Sequence, residues 1–448
     1  MDSRHRTWAT SERFVPKNFI RPFVRFSQIE ASSGIVLLIA AIAALIWANS
    51  AWSDTYFSIL EEHITIEFFG FHLDESVLHL INDALMAIFF FVVGLEIKRE
   101  LVLGDLRDPK AAALPVMAAL GGMVLPALIY FSINAGTAAS HGWGIPMATD
   151  IAFAVGIVAL LGSRVPSGAK LFLLAVAIAD DIGAIAVIAI FYTSELNGAY
   201  FAAAVAGLLI VWIANKVNIR AMWFYVPVAI VIWYFTLESG IHATLAGVAL
   251  GFLTPAYPYY EPQEFDQRAR AILDQYPAND ITDVHAQEHA DHEVLLLSEI
   301  AQESVAPLTR MEHRLVAWSS FVIVPLFALA NAGVDFRGVS LTEALTSRVA
   351  LGVSLGLVVG KLVGISLASY GAVRLGLGKL PPGTSWSHVF GLAAVAGIGF
   401  TVSLFVAGLA FEDPVFTDYS KVGIFSGSLI AGLIGAFFLS RARPRSRS

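Results

Sequence analysis

Two adjacent aspartates, Asp180 and Asp181, stand at the centre of AVAIADDIGAIAVIAI, residues 175–190, a stretch that is otherwise hydrocarbon. Asp150 in GIPMATDIAFAVG and Lys361 in LGLVVGKLVGISLASY lie in equally apolar surroundings. Ionisable side chains at bilayer depth are costly, and unless they merely pair with one another they mark ion or proton pathways. Three acids against one base leave pairing an incomplete account, because the buried negative charge left over needs a proton or a cation. Successive helical residues point about 100° apart, so Asp180 and Asp181 cannot both face Lys361 squarely. One can hold the lysine while the other addresses a cavity, and helix geometry alone does not say which.

The elements that must carry these residues are membrane spans. Of 448 residues, 57% are hydrophobic and 14% are charged, which excludes an ordinary soluble domain. The absence of cysteine removes any thiolate metal site, thiol nucleophile or disulfide framework. Counting segments of roughly 20 apolar residues gives about twelve spans. Asp180 and Asp181 then lie about ten residues from each end of their span, about 15 Å deep. Lys361 and Asp150 are placed at similar depth in spans ten and four. Spans seven and eight are divided only by LESG, Leu237 to Gly240.

Basic residues mark cytoplasmic loops. Arg4, Arg6, Arg13, Lys17, Arg21 and Arg25 fill the N-terminal arm, and Arg441, Arg443, Arg445 and Arg447 the tail, so both termini are expected inside. Lys98, Arg99, Arg107 and Lys110, then Arg164 and Lys170, Lys216 and Arg220, and Arg374 and Lys379 mark alternate loops, while Asp54, Glu61, Glu62, Glu67, Asp74 and Glu75 mark an opposite one. The chain thus divides into a basic arm (1–32), a first helical block (33–253), an acidic cytoplasmic loop (254–309), a second block (310–440) and a basic tail (441–448). The first outer loop, HITIEFFGFHLD, reads as a hairpin turning at Gly70, an ordered connector or, the reading we favour, an edge that pairs with a second subunit. In the acidic loop VHAQEHADHEVLLLSEIAQE reads as a helix with His285, His289 and His292 on one face. A metal site or a pH response is conceivable there, but a solvated face is the simpler reading.

Two spans are interrupted. Pro146 deletes a helical hydrogen bond just before Asp150, and Gly397 and Gly399 precede Thr401. Each interruption falls in the middle member of a helix triplet, spans three to five and ten to twelve, the layout of a transporter built from inverted repeats. The fold class expected is an all-α polytopic membrane protein with two interrupted, crossing helices.

With those residues in view, the chain resembles the NhaA family of bacterial sodium/proton antiporters. INDALMAIFFFVVGLEIKREL, GIPMATDIAFAVGIVALLG, LLAVAIADDIGAIAVIAIFY, SGIHATLAG, VPLFALANAG, GKLVGI and AGIGFTVSLFVAGLAF are all similar to segments of that family, in its order. The resemblance runs from Arg25 to the end of the last span and omits residues 254–309. It implies electrogenic exchange of cytoplasmic Na+ or Li+ for external H+ in the bacterial inner membrane, serving sodium extrusion and pH homeostasis. No cofactor is implied, the ions being substrates, and no nucleic-acid partner; the homodimer expected is the one read above from the hairpin edge. Asp181 with Asp180 beside it matches the carboxylates at which cation and proton compete, and Lys361 the partner of Asp180. Asp150 and Lys361 match charges that offset helix ends, with Thr149 and Thr401 as oxygen donors. Glu96, Arg99, Glu100, Glu312 and His313 match a cluster linked to pH activation, and His242 a histidine discussed in the same response or a buried neutral ring. Where a second histidine is expected after His313 the chain has Val316.

Three other classes compete with an exchanger. An intramembrane aspartyl protease needs facing carboxylates on separate helices, and its Gly-x-Gly-Asp signature has phenylalanine here, in GIGF. A sodium-coupled symporter needs a further polar solute pocket, and a channel a carbonyl filter or charged rings.

Overall fold

The computed structural model describes residues 32–68, 71–193, 196–219, 222–276, 284–337 and 340–442. The basic arm, Gly70, Arg220 and the tail arginines 443, 445 and 447 lie outside them.

The first block contains α1 (Ser32–Ala48), α2 (Ser53–Glu61), α3 (Val77–Val102), α4 (Pro109–Asn134), α5 (Ile151–Leu161), α6 (Ser167–Phe191), α7 (Gly198–Lys216), α8 (Met222–Glu238) and α9 (Thr244–Leu253). The loop after it carries α10 (Pro262–Gln275) and α11 (Val284–Glu303), the second being the helix expected there. The second block holds α12 (Pro307–Asn331), α13 (Leu341–Thr346), α14 (Arg348–Arg374), α15 (Trp386–Val395), α16 (Phe400–Ala410) and α17 (Pro414–Arg441). The starts of α4 and α17 are written locally: Asp108 and Asp413 accept hydrogen bonds from the N–H groups of Lys110 and Val415, and a proline occupies the first helical position.

Among the described residues eight helices are long and apolar enough to cross a bilayer, and up to ten if each of two bent pairs is taken as one span. The expectation of about twelve is not reached by length. Segments seven and eight are the short helices α8 and α9, because the chain leaves the helix between Ser239 and Ala243, with Gly240 at a φ of 81°. In the first bent pair α2 turns 110° from α1 and so does not prolong it; in the second, α15 and α16 meet at 46°. Large apolar side chains cover the outward faces, among them Ile46, Leu160, Ile190, Trp223 and Leu433, as a lipid-facing surface requires.

The only strands among the described residues form the expected hairpin, β1 (His63–Phe68) antiparallel to β2 (Phe71–Ser76), with His63 opposite Ser76.

Among the described residues three spans contain a π-turn: Ile81–Leu85 in α3, Ser319–Ile323 in α12 and Gly356–Gly360 in α14. Such turns concentrate at functional positions, and the last of them delivers Lys361. That helix is pressed against α4 where Gly121 and Gly364 meet; a Cβ on either would strike the backbone carbonyl of the other. The close approach fixes the depth and direction from which the lysine enters the core.

Candidate functional site

The two interruptions expected from Pro146 and from Gly397–Gly399 are present, and they touch. A 3-10 stretch, Ala138–Met147, ends at Ala148 and Thr149, and α5 begins after Asp150. The N–H of Asp150 donates to the Ile398 carbonyl at 2.6 Å, and the Thr149 hydroxyl donates to the Ala396 carbonyl at 2.8 Å. Backbone that has left the helix in one segment is thus satisfied by the other, the condition for irregular backbone at membrane depth.

Asp150 serves both half-helices at once. One carboxylate oxygen accepts from the Phe153 N–H at 3.2 Å and caps α5; the other accepts from the N–H and hydroxyl of Thr401, at the start of α16. Helix N-termini carry unpaired N–H groups and partial positive charge, and a carboxylate answers both. Its role is therefore visible in its partners: a shared cap that holds the crossing together.

Asp180 and Asp181 are separated as helix geometry demands. Asp180 Oδ2 accepts from Lys361 Nζ at 2.6 Å, with both side chains 1% exposed, and the lysine also donates to Thr149 Oγ1 at 3.0 Å. A continuous relay runs Asp180, Lys361, Thr149, Ala396 carbonyl, from α6 through α14 to the crossing. Asp180 Oδ1 is buried without a hydrogen-bond partner. Asp181 makes neither a hydrogen bond nor an ion pair with any described residue and opens instead into a cavity of about 310 Å³.

That cavity is also lined by Asp150, Thr149, Thr401, Glu96 and Arg99, so six of the expected residues share one space. Asp180 is not on its wall, and Lys361 reaches it only through Thr149. Toward Glu96, Arg99 forms ion pairs with Glu312 and with Glu100, the latter at 3.3 Å, bringing α3 and α12 together. Lys98 donates to the carbonyls of Phe252 and Thr254 and closes the C-terminal end of α9. His313 is exposed and off the cavity wall; Val316, in place of the expected histidine, is on it. His242 lies apart, with Nε2 at 2.5 Å from the Tyr192 carbonyl. The three loop histidines are exposed on α11, where His285 and His289 face Glu288 and Glu293 at 3.6 and 3.5 Å. No group of three His, Asp or Glu among the described residues is placed to hold a metal ion.

The cavity has lining residues to which the sequence drew no attention: Ser33, Ser319 and Ser320. The available signal was WSSF, two consecutive hydroxyls in an apolar span, residues 318–321.

Residues 24–439 match the Na+/H+ antiporter 1 family. The chain is 44% identical over 434 residues to a protein of Syntrophobacter fumaroxidans named Na(+)/H(+) antiporter NhaA, covering 95% of this chain and 92% of that protein. It is 46% identical over 415 residues to an Na(+)/H(+) antiporter NhaA 2 of Erythrobacter litoralis, covering 92% of each. A buried carboxylate–lysine pair, a capped crossing of interrupted helices and this continuous similarity agree, and the chain belongs to the Na+/H+ antiporter 1 family.

Proposed function

We propose that this protein exchanges sodium for protons across the membrane at one site centred on Asp181, as a transporter and not an enzyme. The observation that carries the reading is the division of labour between neighbouring acids: Asp180 is held by Lys361, while the Asp181 carboxylate has no hydrogen-bond or ion-pair partner among the described residues and faces the cavity.

A carboxylate oxygen can hold a proton or a hard cation, not both. Sodium prefers oxygen ligands, and Asp181 with Thr149, Thr401 and Asp150 offers them on one wall. Entry of the cation requires the carboxyl proton to leave to water, and reprotonation from the other side expels the cation. Movement of one bundle against the other around the fixed site alternates access. With more protons carried than sodium ions, exchange is electrogenic and extrudes cytoplasmic Na+ or Li+ at the expense of external H+.

The orientation proposed follows from the basic loops, with both termini, α10 and α11 in the cytoplasm of a bacterium, the spans in its inner membrane and the hairpin outside. Two subunits pair through that hairpin. Glu96 and Arg99 on the cavity wall, Glu100 and Glu312 paired with Arg99, and His313 and His242 off the wall adjust activity to pH.

In proteoliposomes holding a pH-sensitive dye, added sodium or lithium drives protons out of the site in the wild type, and Asp181→Asn abolishes the signal. Exchange that persists in Asp181→Asn removes the site assignment. Sodium flux without proton movement removes the antiporter.

A further inference from the structure

Serine and threonine inside a helix ordinarily turn the hydroxyl back onto a carbonyl one turn earlier. This protein follows the habit repeatedly: Thr236 donates to Ile232, Ser304 to Ile300, Ser420 to Phe416 and Ser426 to Val422. Ser319 and Ser320 depart from it. Neither hydroxyl makes a hydrogen bond to a described residue, although Ser319 is only 4% exposed. Ser366, Ser369 and Ser428 also lack partners, but they lie off the cavity wall, whereas Ser319 and Ser320 are on it.

The backbone accounts for the difference. Ser319–Ile323 is the π-turn of α12, and its wider winding brings two consecutive side chains to the same wall. Ser319 lies seven residues beyond Glu312, about 10 Å further along the helix axis. The Arg99–Glu312 ion pair therefore stands at one end of this path, and the serines lie inward of it, facing the space that Asp181 also faces. Val316 and Val324 flank them on α12, so the two hydroxyls are the polar groups that this helix gives to the wall.

A hydroxyl in such a position wants a water or a cation. Hydroxyl oxygens suit alkali cations, and two of them replace part of a hydration shell without adding a charge that would trap the ion. We propose that Ser319 and Ser320 form a second, neutral station for a partly dehydrated alkali cation, between the Arg99–Glu312 pair and Asp181. The station rests on the exchange reading given above. It lowers the sodium concentration at which Asp181 is filled and contributes to the choice between sodium and lithium, because two hydroxyls on a fixed turn favour one ionic radius.

The test compares Ser319→Ala/Ser320→Ala with Ser319→Thr/Ser320→Thr, which keeps both hydroxyls. In proteoliposomes at fixed pH, the alanine pair raises the apparent KM for sodium about three- to tenfold, the loss expected for two neutral oxygen contacts, while kcat at saturating sodium falls less than twofold. The lithium-to-sodium KM ratio shifts as well, and the threonine pair returns KM to within about twofold of the wild type. Calorimetric titration of sodium chloride into the purified full chain reads binding without turnover, and the alanine pair weakens it by the same factor.

An unchanged KM in a folded alanine pair overturns the station, and so does a threonine pair as impaired as the alanine pair, since that would make the serines packing residues. If the alanine pair does not fold, each single alanine variant carries the test, with a KM rise of about twofold expected from each. Failure of the exchange reading is separate: the wild type would then release no protons on sodium addition, whatever the calorimetry of the serine variants.

Discussion

At the scale of residues, the pairing of Lys361 with Asp180 decides what else the core can tolerate. Both groups are fully enclosed, and the lysine also answers Thr149. Removing one partner of a buried pair leaves the other charge without compensation and typically costs about 3–5 kcal/mol. Lys361→Ala is expected to lower the thermal unfolding midpoint of the purified protein sharply. Adding Asp180→Asn to it should recover much of that loss, because the orphaned charge disappears. A double variant no more stable than Lys361→Ala would show that the lysine acts through packing and not through its partner. The four intramembrane charges were legible in the sequence because their cost in lipid makes each stand out. Which aspartate takes the lysine was implied by the family resemblance and not by helix geometry, since two neighbours on a helix differ only in azimuth and the azimuth of α6 is set by its packing. Ser319 and Ser320 escaped notice for a related reason: a serine in a span normally satisfies itself, and only the three-dimensional wall shows that these two do not.

At the scale of elements, the crossing is governed by one carboxylate with two clients. Asp150 caps α5 with one oxygen and α16 with the other, and its own N–H is bound by Ile398. Loss of a cap costs about 1 kcal/mol, so Asp150→Ala is expected to lose roughly twice that for two caps. Asp150→Asn keeps one acceptor oxygen and should fall between. Thermal unfolding in detergent ranks the three proteins, and equal midpoints for Ala and Asn would deny the shared cap. The breaks themselves could be read from Pro146 and from Gly397 with Gly399. Their crossing was expected too, but the bonds that make it, from Asp150 N–H to Ile398 and from Thr149 to Ala396, were not, because hydrogen bonds between distant segments leave no local mark. The π-turns were equally silent: their composition is that of any apolar helix, and only the backbone distinguishes them.

At the scale of the whole molecule, the hairpin is the feature least explained by the chain around it. A two-stranded ribbon is marginal alone, and the exposed Ile64 and Ile66 on β1 give it an apolar character that solvent does not favour. Replacing residues 65–74 by a short Gly-Ser linker is expected to convert a dimer into a monomer in mild detergent, measured by light scattering, with exchange retained in each subunit. A dimer that survives the replacement would place the interface elsewhere. The number of spans was the weakest sequence expectation at this scale. Hydropathy counts apolar residues and not helix length: the break between α8 and α9 falls at the expected LESG, but the two helices are shorter than the apolar segments that contain them.

The π-turn at Gly356–Gly360 has one more consequence. A turn closed by an i to i+5 bond holds one residue more than the regular i to i+4 turn. The direction in which Lys361 points is therefore a matter of counting: with that surplus residue absent, everything on one side of the turn would rotate by about 100° relative to the other. The helix could then keep either the Lys361–Asp180 pair on one side of the turn or the packing of Gly352 against Tyr130 and Asn134 on the other, but not both. Helix α14 behaves as a shaft keyed at one tooth, and a single-residue change in chain length there would disengage the site without altering the chemistry of any residue that forms it.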